Sequence, residues 1–345
     1  MLLTRFEVCQ AKLREGSEMA EQYYFLGLDG GGTKTDGALV DGEGRILSEA
    51  RAGPSNPTRI GFSKACAALG EAAQHTLAAA GVAPELIRGV CAGLAGAARP
   101  QAARRMAKFL ERAFPQADVR VTTDLEIALE AAVGSGEGIV LVAGTGSAAF
   151  GRNRAGVTAR AGGEGPKKGD AGSAFDIGRR AFEAALRAHS QQGPPTLLAD
   201  AMLSALGCRD WDLLIQLGAE DPDALFPGLF PTVVEVAEAG DGPAREILAA
   251  AALSLAGFVK SVSESLGLAV KEVAIAKSGG AFGQSALLDD TVDARVKELL
   301  PRARIQPLRI APSLAAAEMA RQRATTAQSA GWSDVKKHEK GAGQG

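Results

Sequence analysis

Short apolar runs separated by glycine-rich turns alternate along this chain with alanine-rich stretches of helical period. Three strand-like runs come first, Tyr23–Leu28, Thr35–Val40 and Arg45–Ala50, with Asp41-Gly-Glu-Gly44 as the turn between the second and third. Helical spacing covers Phe62–Ala80, and Gly81 is a natural stop. An apolar strand at Ile87–Leu94, an amphipathic helix at Arg99–Phe114, a strand at Asp118–Thr122 and a helix at Leu125–Ala132 complete the order βββαβαβα. At Gly134-Ser-Gly-Glu-Gly138 the pattern restarts: strand Ile139–Ala143, turn Gly144-Thr-Gly-Ser147, strand Ala148–Arg152 and a third strand near Gly156–Ala161. Helices are then predicted over Ala171–Gln191, Pro194–Leu206, Pro231–Ala239 and Ala244–Leu266. A strand at Glu272–Ala276, a helix at Val292–Leu300, a short strand at Arg304–Pro307 and a last helix at Ser313–Arg323 follow. The pattern is α/β, with one architecture used twice.

Composition adds limits. A chain of 345 residues, 46% hydrophobic, has room for two domains of ordinary size. A net charge of −2 carries no signature of a nucleic-acid or membrane surface, so neither is expected as a partner. No apolar run approaches the ~18 residues of a spanning helix. The opening Met1-Leu-Leu-Thr-Arg-Phe lacks the long apolar core of a signal peptide, so a cytoplasmic location is expected. Cys9, Cys66, Cys91 and Cys208 are scattered, which suits free thiols in a reducing compartment. Residues 1–22 read as an extension and 324–345 as a disordered polar tail.

Candidate chemistry gathers at the turns. Gly30, Gly31 and Gly32 are open to positive φ and to close backbone approach, and with Thr33, Lys34 and Thr35 they outline an anion cradle at a strand end. A hairpin that merely needs glycine is the alternative. The P-loop pattern fails because Thr33 stands where lysine is required, and the dinucleotide fingerprint should open a helix rather than a second strand. Asp29, just before the turn, is placed to hold a hydrated metal ion. The second tip, Gly144-Thr145-Gly146-Ser147, repeats the type, and two such tips are much less incidental than one. Asn56 in Gly53-Pro-Ser-Asn-Pro57 is either an exposed amide or an Asx turn. Asp124 and Asp170 each read as a helix N-cap or as a functional carboxylate, Asp124 as a proton acceptor and Asp170 as a holder of sugar hydroxyls. Gly279-Gly280 would let a flat ring lie against backbone. His75, His189 and His338 form no constellation.

Taken together, Leu28-Asp-Gly-Gly-Gly-Thr-Lys-Thr35, Gly53-Pro-Ser-Asn56, Thr122-Thr-Asp124, Ala143-Gly-Thr-Gly-Ser147, Gly162-Gly163 with Gly169-Asp170 and Gly172-Ser173, Ile177-Gly-Arg-Arg180 and Ser278-Gly-Gly280 resemble the actin/sugar kinase/Hsp70 superfamily. Within it the chain is similar to the BadF/BadG/BcrA/BcrD-type ATPase and N-acetylglucosamine kinase family, from about Tyr24 to Ala320. The resemblance implies two ribonuclease-H-like domains, each a mixed five-stranded sheet flanked by helices, with a cleft between them that takes ATP and Mg2+. It places them at 23–137 and 138–311, with a last helix at 312–323 returning to the first.

It further implies that Gly30–Thr33 and Lys34 meet phosphates, Asp29 holds a metal-bound water, Gly144–Ser147 form the second phosphate loop and Gly279–Gly280 meet adenosine. Asn56, Asp124, Gly163 and Asp170 would hold an amino sugar, with Asp124 as the base. The implied activity is phosphoryl transfer from ATP to N-acetylglucosamine or glucosamine, in a chain whose outer helix faces would support a homodimer. Glu164 stands where the family commonly has tryptophan and Ala171 where it has glutamate, and Lys167 and Lys168 add charge, so the sugar side departs from the pattern. A non-catalytic sensor is the alternative that these departures motivate and an intact Asp124 opposes. An ATPase activator of a reductase would need cluster-ligating cysteines that the four here do not supply.

Overall fold

A computed structural model describes residues 23–165 and 170–341, with side chains to residue 326. It divides into two compact units, one ending at Thr122 and taking back the chain from Ala316, the other spanning Thr123–Ala315.

The first unit is a five-stranded sheet in the order β3-β2-β1-β4-β5. Strands β1 (Tyr24–Gly30), β2 (Thr35–Asp41) and β3 (Ile46–Ala52) form an antiparallel meander. Strands β4 (Ile87–Leu94) and β5 (Asp118–Thr122) then add in parallel beside β1. After α1, a single turn at Pro57–Ile60, helix α2 (Phe62–Ala80) lays Ala65, Leu69, Ala72, Ala73 and Leu77 on the core at three- and four-residue intervals. Gly81 closes it in the left-handed region (φ 67°), as its position predicted. Met106 and Leu110 of α3 (Pro100–Ala113) join the same core. Each fully buried leucine there, such as Leu26, Leu28 and Leu69, contributes about 1.5–3 kcal/mol.

The second unit repeats the topology, with sheet order β10-β9-β6-β7-β8. Here β6 (Gly138–Ala143), β7 (Ser147–Arg152) and β8 (Thr158–Gly162) are the meander, and β9 (Val273–Ser278) and β10 (Ala303–Pro307) are the parallel pair. Helix α4 (Asp124–Val133) packs Ala128 and Leu129 against Val140 of β6, so the structural division falls after 122 rather than after 137.

Between the meander and the parallel strands come α5 (Ala174–His189), α6 (Leu198–Leu206), α7 (Trp211–Glu220), α8 (Pro222–Gly228), α9 (Phe230–Glu238) and α10 (Gly242–Ser265). The two helices over 211–228 were not expected, because Asp221, Pro222 and Pro227 break the stretch into pieces too short for a clear period. Helix α10 passes a length and composition test for a membrane span that the sequence was expected to fail. Its Ile247, Leu248, Ala251, Leu255 and Val259 lie in this unit's core, which accounts for its apolarity. Helix α11 (Ala286–Leu299) is followed by α12 (Pro312–Gly341), which runs past the predicted end at 323 into part of the expected tail. The rest of that tail, 342–345, and the N-terminal extension lie outside the described residues. Arg321 of α12 donates to the Gly42 carbonyl at 3.1 Å, and Arg323 pairs with Asp118, tying this helix to the first sheet.

Candidate functional site

The β1–β2 hairpin places its tip where Gly30 still pairs with Thr35 and residues 31–34 form the loop. Glycine is required there for room and not for a special φ: none of Gly30, Gly31 and Gly32 has positive φ. A Cβ on Gly30 would stand 2.3 Å from Ser55 Oγ and 2.5 Å from a Leu94 methyl, and one on Gly32 would stand 2.9 Å from the Arg59 guanidinium. Gly31 differs, since its Cβ would meet only the loop's own Lys34 carbonyl, at 3.4 Å. Its outer side is therefore bare backbone.

The Gly31 carbonyl accepts the N–H groups of Ser55 and Asn56, both at 3.1 Å, and Gly30 accepts from Ala95 at 2.8 Å. The buried Thr35 hydroxyl lies 2.7 Å from the Gly53 carbonyl and 2.8 Å from Ser55 Oγ. Two motifs distant in sequence are thus sewn to the tip. Asn56 makes the Asx arrangement, its Oδ1 accepting from Thr58 N at 3.0 Å and capping α1. Thr33 and Lys34 are exposed at the tip, and Lys34 pairs with Asp36 at 2.6 Å, a carboxylate also held by Arg51. Burial pulls the Asp36 pKa up, but Arg51 and Lys34 together hold it below the usual value. Asp29 is half-buried at the end of β1. Among the described residues no three His, Cys, Asp or Glu side chains gather, so a divalent ion on Asp29 would keep most of its water, which fits Mg2+.

In the second unit the tip is the three-residue loop 144–146 between paired Ala143 and Ser147. Three segments far apart in sequence close around it. Ala174 N–H donates to the Gly144 carbonyl at 2.8 Å, Gly163 N–H to the Ser147 carbonyl at 2.7 Å, and Ala281 N–H to the Ala143 carbonyl at 2.9 Å. Ser147 Oγ donates to the Ala171 carbonyl at 2.7 Å. Gly279 takes φ 103°, and its Cβ would stand 2.4 Å from the Ala143 carbonyl, so both conformation and space demand glycine. A Cβ on Gly280 would meet nothing within 4 Å, leaving that backbone bare as at Gly31. Thr145 sits half-buried at the crest of the loop. Bare backbone on both loops is what close approach by phosphate or a flat base requires.

Both aspartates lose their N-cap reading. Thr123 caps α4, its Oγ1 accepting from Glu126 N at 3.2 Å, and Asp124 is the first helical residue. Ser173 caps α5, while Asp170, buried and with φ 36°, accepts the Gly165 N–H at 2.9 Å and faces Gly146. Burial pushes the Asp124 carboxyl pKa up, against the Leu125 N–H, the Arg160 charge and its own N–H, which favour the ionised form. Glu164 is exposed, and Lys167 and Lys168 lie outside the described residues.

Sequence reasoning missed Arg160, whose guanidinium donates to the Gly162 carbonyl at 3.0 Å and to the Gly163 carbonyl. It also missed Lys277, buried on β9 between Asp289 (2.7 Å) and Asp293 (2.9 Å). Asp289 in turn accepts the Gly283 N–H at 2.7 Å, fixing the 279–283 loop. A lysine near the end of an apolar strand, two residues before a glycine pair, was the available signal.

The model of the BadF/BadG/BcrA/BcrD ATPase family matches residues 26–320. The chain is 31% identical over 310 residues to the N-acetyl-D-glucosamine kinase of Dictyostelium discoideum, covering 86% of this chain and 97% of that protein. It is 32% identical over 271 residues to the N-acetylmuramic acid/N-acetylglucosamine kinase of Clostridium acetobutylicum, covering 77% and 88%. Among solved structures, a candidate N-acetylglucosamine kinase from Chromobacterium violaceum superposes with a TM-score of 0.73 at 25% identity, over 87% of this chain and 99% of that one. A ROK family glucokinase from Streptomyces griseus shares the fold, with a TM-score of 0.58 at 19% identity over 87% and 99%. The duplicated five-stranded topology, the two glycine tips and a family match from β1 into the last helix agree, and the chain belongs to the BadF/BadG/BcrA/BcrD ATPase family.

Proposed function

We propose that this protein is an amino-sugar kinase that transfers the γ-phosphate of Mg-ATP to a hydroxyl of N-acetylglucosamine or glucosamine. The observation that carries the reading is Asp124, a half-buried carboxylate leading a helix, in a chain aligned along 97% of an N-acetyl-D-glucosamine kinase. Phosphoryl transfer asks a protein for positioning, charge neutralisation and a group that takes the acceptor's proton. Asp124 accepts that hydroxyl proton as the sugar oxygen forms its bond to the γ-phosphorus and the bond from that phosphorus to the β–γ bridging oxygen breaks, releasing ADP. The bare backbone at Gly31, with Gly30, Gly32, Thr33 and Lys34, receives phosphate oxygens, and Asp29 would hold, through water, the Mg2+ that would offset their charge. Gly144–Ser147 supply further N–H and hydroxyl donors, and Gly279–Gly280 lie under the adenosine. Asn56, Gly163 and Asp170 hold the sugar.

The reductase-activator reading is disfavoured by its cysteines, because among the described residues Cys66, Cys91 and Cys208 are buried and so poorly placed to ligate a cluster. Such thiols suit a reducing cytoplasm, where we place the enzyme.

The test is a coupled ADP-release assay with Mg-ATP over N-acetylglucosamine, glucosamine, N-acetylmuramic acid and glucose. Release stimulated by an amino sugar is expected. Release no faster than with ATP alone overturns the kinase reading, and sugar binding by calorimetry without turnover would identify a sensor instead.

A further inference from the structure

Beside the aspartates, the second unit holds a charged side chain with no role assigned above. Arg160 lies on β8 opposite Phe150, two residues before the Gly162-Gly163 turn. That turn is costly to form: Gly162 and Gly163 take φ 74° and 68°, and a Cβ on Gly162 would press on Phe258 and on the Ser147 carbonyl. Both turn carbonyls accept from the Arg160 guanidinium, and a Cβ on Gly163 would stand 2.4 Å from Arg160 Nη2, so the side chain wraps the turn closely. From its other side the turn is tied to the β6–β7 tip by the Gly163 N–H on the Ser147 carbonyl.

We propose that Arg160 is a positioning residue of the acceptor side, clasping the Gly162–Gly163 turn assigned above to the sugar. The proposal rests on the kinase reading. A planar fork suits two neighbouring carbonyls as a point charge does not, so lysine would keep the charge and lose the clasp.

The charged groups on Asp124's own helix and on the strands packed against it have partners of their own. Its own helix carries Glu126 and Glu130; β7 brings Arg152, paired with Glu130 at 3.3 Å; β9 brings Lys277, paired with Asp289 at 2.7 Å. The side-chain charge that stabilises the Asp124 carboxylate is that of Arg160. Burial works the other way, so loss of this charge should raise the pH at which the base becomes available. Arg160 is exposed, so the effect should shrink as salt is added.

The test uses the full chain and the variants Arg160→Met and Arg160→Lys, each with KM for ATP, KM for N-acetylglucosamine and the pH profile of kcat/KM for the sugar. Arg160→Met should raise the sugar KM about tenfold, equal to about 1.4 kcal/mol of lost positioning. It should leave the ATP KM within about twofold and move the acid limb of the profile to higher pH. Arg160→Lys should restore the limb and not the KM, and it carries the test if the methionine variant fails to fold. Equal changes in both KM values with an unmoved limb would make Arg160 a merely structural residue and overturn the proposal, as would a variant indistinguishable from wild type. Absence of sugar-dependent turnover in the wild-type protein would instead overturn the kinase reading itself.

Discussion

The two glycine tips share a topology and differ in what holds them. The β1–β2 tip rests on neighbours from one short stretch, 53–56, and on Ala95, and its charges stand outside: Lys34, Asp36 and Arg51 form a chain with Lys34 and Arg51 largely exposed. The β6–β7 tip is gripped by three segments, at 163, 171–174 and 279–281, and its supporting cation, Lys277, is buried between two carboxylates. The same strand order therefore yields one lightly held, solvent-facing loop and one braced from within. Duplication settles where a loop sits. The crossing segments settle how firmly.

Several changes would break or sharpen that contrast. The largest effect should come from Asp124→Asn, which removes the base: kcat should fall by about two to four orders of magnitude while calorimetry still shows sugar binding. Retained turnover would remove Asp124 from the role.

Next is Lys277→Met, which strands Asp289 and Asp293. It should cost about 2–3 kcal/mol in chemical denaturation, less than a fully buried pair because the carboxylates are partly exposed, and should loosen ATP binding through the 279–283 loop. The corresponding change at the first tip, Arg51→Ala, should lower Tm only slightly, since exposed pairs contribute little.

Glycine replacements separate the tips again. Gly279→Ala meets both a positive φ and the Ala143 carbonyl and should cost about 1–3 kcal/mol. Gly31→Ala has room in the folded protein and should leave the melting curve unchanged while raising the ATP KM, if that backbone receives phosphate. An unchanged KM would count against the cradle.

The smallest effect is one of sign. Asp124 has a raised pKa in the fold, so its contribution to stability is fully present below its unfolded pKa and is lost as pH rises through the folded value. Asp36 has a lowered pKa and contributes stability above its unfolded value, lost as pH falls through the folded one. At pH 7 Asp124→Asn should therefore raise Tm and Asp36→Asn should lower it, with both curves converging on wild type in acid. Shifts of the same sign at pH 7 would contradict the opposed environments of the two carboxylates.

Much of this was legible in the chain itself. The repeated meander, the Asp41-Gly-Glu-Gly44 turn that closes β2, Gly81 as a stop and the two hairpin tips follow from period and from glycine, which act over a few residues. The chemistry-bearing motifs were visible as strings for the same reason. The exposed edge strand β3 was found although little of it is buried, because its alternation survives without burial.

What tertiary structure alone decided were matters of who stands beside whom. Sequence offers Asp124 and Asp170 as N-caps, and the hydroxyls of Thr123, one residue before, and Ser173, three residues after, take those positions instead. It offers positive φ as the reason for the glycines, and at Gly30 and Gly32 the reason is Ser55, Leu94 and Arg59 approaching from elsewhere in the chain. It leaves Asp36 as a simple neighbour of Lys34, and the fold brings Arg51 of the next strand to that carboxylate as well. It ends the first domain after 137, and the packing of Ala128 and Leu129 on Val140 moves α4 into the second. Local propensity depends on a residue and its near neighbours, whereas pairing, burial and available space depend on segments tens to hundreds of residues away.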